Sequence, residues 1–312
     1  MLTVIGKRAL AAIPTLLGVT AVVFLILRLV PGDPVTAMLQ GSPATTERIQ
    51  ELREQFGLER PLLVQYLAFL VGLVRGDLGT SYATRQDVTA MIAQQLLPTL
   101  ELALAAALFT AVVGIALGAV AAAFPRSPAD AAIRVFSLLG TSMPAFWIGL
   151  MLIMVVSFQL RLLPATGTGG IERLILPAVA LGMSAAGVVG RLVRNNMLEV
   201  MGENFVSALV AKGVPRRVVL VKHVLRNAVS PAITILGLQI GALLAGAVIV
   251  ESVFARQGLG HLLTQAIATS DFPVIQGIVL VIAVIYIAVN VVVDVSYAIV
   301  DPRVRPSSAA SR

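Results

Sequence analysis

Two histidines, 16 carboxylates and no cysteine are the groups this chain offers for chemistry. Without cysteine there is no disulfide framework and no thiolate metal site. No H-E-x-x-H or Ser/His/Asp constellation occurs. Gly167-Thr168-Gly169-Gly170 lacks the lysine of a phosphate-binding loop, and G-x-x-x-x-G-K-[ST] is found nowhere. The chain is therefore expected to be no enzyme, to hold no cofactor and not to hydrolyse ATP itself. Leu163-Pro164-Ala165-Thr166-Gly167 spells a sortase signal, but long structured segments follow it, so it reads as a turn. What remains is a basic stretch, Asn204 to Pro231. It carries Lys212, Arg216, Arg217, Lys222 and Arg226, with no acid from Asn204 through Val250. It breaks at Gly213-Val214-Pro215, where glycine relieves a helix end and proline suits a first turn. This predicts a short helix, a turn and a second short helix, whose chemistry is charge-assisted contact with an acidic partner surface.

The elements that must position this stretch are membrane spans. Of the 312 residues, 58% are hydrophobic and 12% charged, about half the charge of a soluble domain. Six stretches are long enough to cross roughly 30 Å of hydrocarbon: Ala9–Leu29, Thr99–Phe124, Val135–Leu160, Leu174–Val193, Ala228–Val250 and Pro273–Val293. The first follows Lys7 and Arg8, exceeds a signal-peptide core and has no small-residue cleavage site after it, so it reads as an uncleaved span. With both termini on one side, that side collects 14 of the 23 Lys and Arg, and the other collects 11 of the 16 acids when Glu101 and Glu251 are counted at its interface. Positive charge favours the cytoplasm. The Asn204–Pro231 stretch and both termini are thus expected inside, and the long loop after the first span outside. His223 then lies inside and His261 outside, so the two share no metal site. The net charge of +7 follows this membrane bias; no nucleic-acid partner is expected.

The division along the chain is 1–30 for the N-terminus and first span, 31–98 for an extracytoplasmic loop, 99–298 for the core and 299–312 for a cytoplasmic tail. Within the core lie a coupling loop at 195–227 and an outer loop at 252–272 that dips as a short helix. The 31–98 loop opens on a Pro31-Gly32-Asp33-Pro34 turn. Thr45–Phe56 reads as a polar helix capped by Thr46, and Pro61–Val74 as an apolar stretch too short to count as a span. Gly76 to Ser81 reads as a turn, and Gln86–Gln95 as a helix leading into the second span.

The stretch Ala211-Lys212-Gly213, His223-x-Leu225-Arg226-Asn227 and Pro231 resembles the "EAA loop" of bacterial ABC importer permeases, in the dipeptide/oligopeptide/nickel branch. Against the broad pattern E-A-A-x3-G-x9-I-x-L-P, Ala208, Gly213 and Leu225 match, while the glutamate, second alanine, isoleucine and proline do not. The likeness extends along nearly the whole chain and is closest to the first of that branch's two permease subunits. It includes Pro31–Pro34, Phe56-Gly57-Leu58 with Pro61 and Gln65-Tyr66, Gly76–Ser81, Ser142–Phe146, Gly258-Leu259-Gly260 and Asp301–Arg305. The resemblance implies an all-α integral membrane protein with six transmembrane helices, the type I ABC importer permease fold, in a bacterial cell membrane. It also implies a second homologous permease, cytoplasmic ATPase subunits that bind ATP and Mg, and an extracytoplasmic solute-binding protein. Short peptides are the implied cargo, with nickel, glutathione or opines as alternatives. The two short helices would sit in a cleft of an ATPase subunit through Ala208, Lys212, Gly213, Val214, Arg216, Arg217 and Val218, and carry its closure into the spans.

The remaining candidates lie in the membrane. Ionisable groups there are functional candidates by default. Asp294, Glu101, Arg28 and Glu251 sit near span ends and are able to reach the interface. The fifth span resembles a pore-lining helix of the family, which makes Glu251, with Gln239 and Gly241, the pathway or gate candidates. Gly114/Gly118 and Gly237/Gly241 have the spacing of close helix contacts, either within the subunit or between permeases. Pro144 and Pro177 are expected to kink their spans. A secondary transporter acting alone is disfavoured by the missing inverted repeat and midplane carboxylate pair. An intramembrane protease would need a Ser/His or Asp/Asp pair, and none is evident.

Overall fold

The computed structural model describes residues 2–29, 35–36 and 45–300. The Pro31–Pro34 turn, the Asp301–Arg305 motif and the side chain of Asp294 lie outside the described residues. The described chain is helical: α1 (Leu2–Leu29), α2 (Thr46–Gln55), α3 (Leu62–Val74), α4 (Val88–Ala123), α5 (Pro128–Ser142), α6 (Ala145–Gln159), α7 (Glu172–Met201), α8 (Asn204–Ala211), α9 (Arg216–Val253), α10 (Leu259–Ala268) and α11 (Phe272–Val300). Among the described residues five helices are apolar and long enough to cross a membrane, and α5 with α6 makes a sixth if that bent pair counts as one span.

The elements differ from expectation in three places. The third span is interrupted at Pro144 as expected, but by a break sharper than a kink, with α5 and α6 meeting at 112°. Proline pushes the residue before it out of the helical region, and Met143 is extended at φ −96°, ψ 134°. Pro177 lies inside the continuous helix α7. The second short helix after Gly213 is not separate. It runs from Arg216 through a π-helical turn at Val219–Val224 into the fifth span, because no glycine or proline intervenes before Pro231. Finally, the polar α2 is capped by Thr45, whose side chain accepts from Arg48 N at 3.3 Å, in place of Thr46.

The chain packs as two units. The first holds residues 1–99 and 257–288. Its core gathers Leu27, Tyr82, Val88, Ile92, Leu259, Phe272, Ile275 and Ile278. The loop at 80–87 is pinned to the start of α11 by buried Asp271, whose Oδ2 accepts from Ser81 Oγ at 2.5 Å and whose Oδ1 accepts from Tyr82 N at 2.9 Å. The second unit holds residues 100–256 and 289–312. One of its cores joins α4, α6, α7 and α9 through Leu102, Ile148, Leu181, Leu243, Val250 and Phe254. Another joins α7, α8 and the start of α9 through Val193, Met197, Val206, Val219 and Val224. In α7, 61% of the apolar window is buried, so α7 is the axis of this unit.

Small residues let α7 approach α4 closely. A Cβ on Gly118 would meet Gly190 O at 2.5 Å and Val193 Cβ at 2.8 Å, and one on Gly114 would meet Val189 Cβ at 2.9 Å. The Gly114/Gly118 pair is therefore used inside the subunit. Gly237 likewise faces Val293 of α11.

Candidate functional site

The Asn204–Val218 segment is a helix, a glycine turn and a helix start. α8 ends at Ala211 with Lys212 as its cap, after which Val214 N donates to Leu209 O at 3.1 Å and Gly213 N to Val210 O at 2.9 Å. That pair of bonds is the Schellman closure, which needs a left-handed residue between helix end and exit. Gly213 supplies it at φ +77°. Pro215 is extended, and its carbonyl accepts from Val218 N at 2.9 Å and Val219 N at 3.1 Å to open α9.

The two sides of this segment have opposite characters. Val206 and Val219 are buried and Val214 half-buried, anchoring it on α7 and the start of α9. Ala208, Lys212, Gly213, Arg216, Arg217 and Val218 are exposed. Exposed aliphatic side chains accompany them, Val210 at 59% and Val218 at 40%. Cations interleaved with bare aliphatics on a rigid turn form a surface suited to a partner with acids around an apolar cleft. One cation has a second attachment that its sequence position does not reveal: Arg216 Nη2 donates to Ala123 O at 3.0 Å, closing the C-terminal end of α4. The cation there also complements the helix dipole.

Close to that end of α4 lies an ion pair that sequence reading missed. Buried Asp130 is held by Arg194 in a two-pronged contact, Nε to Oδ1 at 2.7 Å and Nη2 to Oδ2 at 2.9 Å. Arg126 N adds a bond at 3.1 Å, and Arg134 approaches at 3.6 Å. Asp130 precedes the apolar run of its segment, and the Arg194 guanidinium holds its carboxyl down at about 2, with Arg126 N and Arg134 assisting against the cost of burial. The pair is ionised throughout the physiological range and ties the start of α5 to α7. The local signal was Ser127-Pro128-Ala129-Asp130, a helix-start pattern, and Ser127 Oγ accepts from Asp130 N at 3.2 Å.

The three pathway candidates do not converge. All lie on α9, with Gln239 half-buried and Gly241 and Glu251 buried. Gln239 and Gly241, two residues apart, point to different sides, and Glu251 is roughly 15 Å farther along the helix. Around Glu251 the chain is tightly locked. Arg256 N donates to Glu251 O at 2.9 Å, and the buried Arg256 guanidinium donates to Glu101 Oε2 at 3.0 Å. Phe254 O accepts from Gly167 N at 3.0 Å. Glu101 is thus an ion-pair partner of Arg256, an assignment that neither residue's sequence context revealed.

Comparison with known proteins adds the following. Residues 114–306 match the family described as binding-protein-dependent transport system inner membrane component, and residues 1–103 match the N-terminal region of such components. The chain is 39% identical over 305 residues to the glutathione transport system permease protein GsiC of Salmonella choleraesuis (strain SC-B67), covering 98% of this chain and 99% of that one. It is 38% identical over 336 residues to the dipeptide transport system permease protein DppB of Escherichia coli (strain K12), with the same coverage. Among solved structures, the inward-facing MetNI methionine ABC transporter aligns with TM-scores of 0.54 and 0.55 at 18% and 20% identity. It covers 68% of this chain and 96% of that one, which shows a shared fold.

Proposed function

The chain belongs to the family of binding-protein-dependent transport system inner membrane components, and from that premise we propose that it forms half of the translocation path for short peptides, driven by ATPases that dock on Asn204–Val218. It is a permease of a binding-protein-dependent ABC importer with the type I permease fold. A dipeptide or glutathione-like cargo is supported by the two relatives' names, since both cargos are short peptidic solutes.

One observation carries the docking assignment: the Gly213 turn holds Val210, Lys212, Arg217 and Val218 outward on a scaffold anchored by buried Val206 and Val219. The Lys/Arg bias supports a cytoplasmic position for this surface and for both termini. ATP and Mg belong to the partner ATPases, and this chain needs no cofactor of its own. A second homologous permease completes the path, and an extracytoplasmic solute-binding protein delivers the cargo. ATP-driven closure of the ATPases moves Asn204–Val218, and the continuous α9 carries the movement into the span that holds Gln239, Gly241 and Glu251.

Co-purification tests this reading. Reversing Arg216 and Arg217 to glutamate together is expected to strip the ATPase from the purified assembly while the permease stays in the membrane. Each lost charge-assisted contact weakens binding by about 2 kcal/mol, roughly 30-fold. Arg217→Glu alone, which leaves the Arg216–Ala123 bond in place, gives a weaker form of the same loss. Full retention of the ATPase by the double variant contradicts the assignment.

A further inference from the structure

The first unit contains an open cavity of about 340 Å³ between the last turns of α1, the inner face of α3 and the 77–82 loop. Its lining includes two arginines, Arg28 and Arg60, against one carboxylate, Asp77. Asp77 Oδ1 already accepts from Gly79 N at 2.8 Å. Arg28 is held for anion binding. Its Nη2 donates to Gln65 Oε1 at 2.5 Å, and its guanidinium carbon sits 5.1 Å from the Phe24 ring centroid and 5.9 Å from that of Phe272. Its Nε is buried without a hydrogen-bond partner, and among the described residues no carboxylate pairs with it. Leaving a guanidinium N–H unpartnered in apolar surroundings is costly. Burial raises the Tyr82 phenol above its ordinary value, against a smaller opposing pull from Arg28, so this neighbour stays neutral and does not neutralise the arginine.

The surroundings identify the anion's carrier. α3 has 13 residues and no buried one. At roughly 20 Å it is too short to cross a bilayer, and it is bounded by Glu59-Arg60 and Arg75, which keeps both ends at the polar boundary. Leu63 and Leu67 of α3 and Leu25 and Leu29 of α1 are exposed aliphatic side chains on the two helices that supply Arg28 and Gln65 to the cavity. We propose that this cavity holds the phosphate of a glycerophospholipid on Arg28 and Arg60, with its acyl chains lying along α1 and α3. The planar guanidinium fork matches phosphate oxygens better than a point charge does, and the lipid tethers α3 to the end of the first span. This site requires only that the chain reside in a membrane, so it stands or falls separately from the cargo and the ATPase.

The test is native mass spectrometry of the purified transporter complex, delipidated and then titrated with phosphatidylglycerol. Wild type is expected to retain one phospholipid more than the Arg28→Gln/Arg60→Gln double variant. Arg60→Gln alone is exposed and harmless to folding, and is expected to weaken retention roughly tenfold, the loss of one charge-assisted contact. Dioleoylglycerol, which lacks phosphate, is not retained, and glycerol 3-phosphate does not compete. Equal retention by wild type and Arg60→Gln, retention of dioleoylglycerol, competition by glycerol 3-phosphate, or displacement by a dipeptide each overturns the proposal.

Discussion

Replacing Gly213 with tryptophan is expected to stop uptake while ATP hydrolysis continues. Two costs separate in this variant. Any L-residue at φ +77° carries a local penalty of roughly 1–2 kcal/mol, and Gly213→Ala carries it too. An added Cβ meets nothing within 4 Å, so within the subunit the indole has room. It fills the space that a docked partner needs, and a clash at the centre of an interface costs at least about 2 kcal/mol, roughly 30-fold in affinity. Gly213→Ala should therefore transport at a modestly reduced rate, and Gly213→Trp should lose ATP-driven uptake in proteoliposomes. Equal behaviour of the two variants would make the turn a purely local device.

Gly118→Leu is expected to lower the chain's abundance in the membrane fraction sharply. The first obstacle to its Cβ is Gly190 O at 2.5 Å, a backbone atom of α7 that no rotamer change relieves. Overpacking costs about 1–3 kcal/mol even where neighbours adjust. Here α4 and α7 must separate, and the core that follows along α7 at Val193 and Met197 opens with them. Set against a total stability of about 5–15 kcal/mol, this loss is expected to appear as low abundance on immunoblots of the membrane fraction. Gly118→Ala should show an intermediate loss. A well-folded Gly118→Leu subunit that merely fails to pair with a second permease would instead place Gly118 at an interface between subunits.

Much of the fold was legible because span length and apolarity are local properties. Ala9–Leu29, Ala228–Val250 and Pro273–Val293 each fall inside a long helix, and the Gly213-Val214-Pro215 break is the observed turn. Legibility failed where distant residues decide. Pro144 signals a distortion, but α5 and α6 take up a 112° bend rather than a shallow kink, and what they pack against is not written at Pro144. Asp130 and Arg194 are 64 positions apart, and Glu101 and Arg256 are 155 apart. Each reads alone as a boundary charge and becomes an ion-pair partner only when α4, α5, α7 and the turn after α9 are assembled. The proposed docking face was visible as charge, while its exposed valines became visible only once buried Val206 and Val219 fixed which side faces inward. Arg216 reads as a docking cation, yet its bond to Ala123 O also gives it a role in holding α8 and α9 to α4.

Cysteine cross-linking tests the docking assignment most directly, because the chain has no cysteine of its own. Val210→Cys and Val218→Cys would be placed one at a time on the exposed face, with Glu51→Cys on α2 as the control, and the assembled transporter treated with a short bifunctional thiol reagent. Cross-links from positions 210 and 218 to an ATPase subunit, changing in yield when ATP is added, with none from position 51, are the predicted result. ATPase cross-links absent from 210 and 218, in an assembly that still transports, would contradict the claim that Asn204–Val218 receives the ATPase.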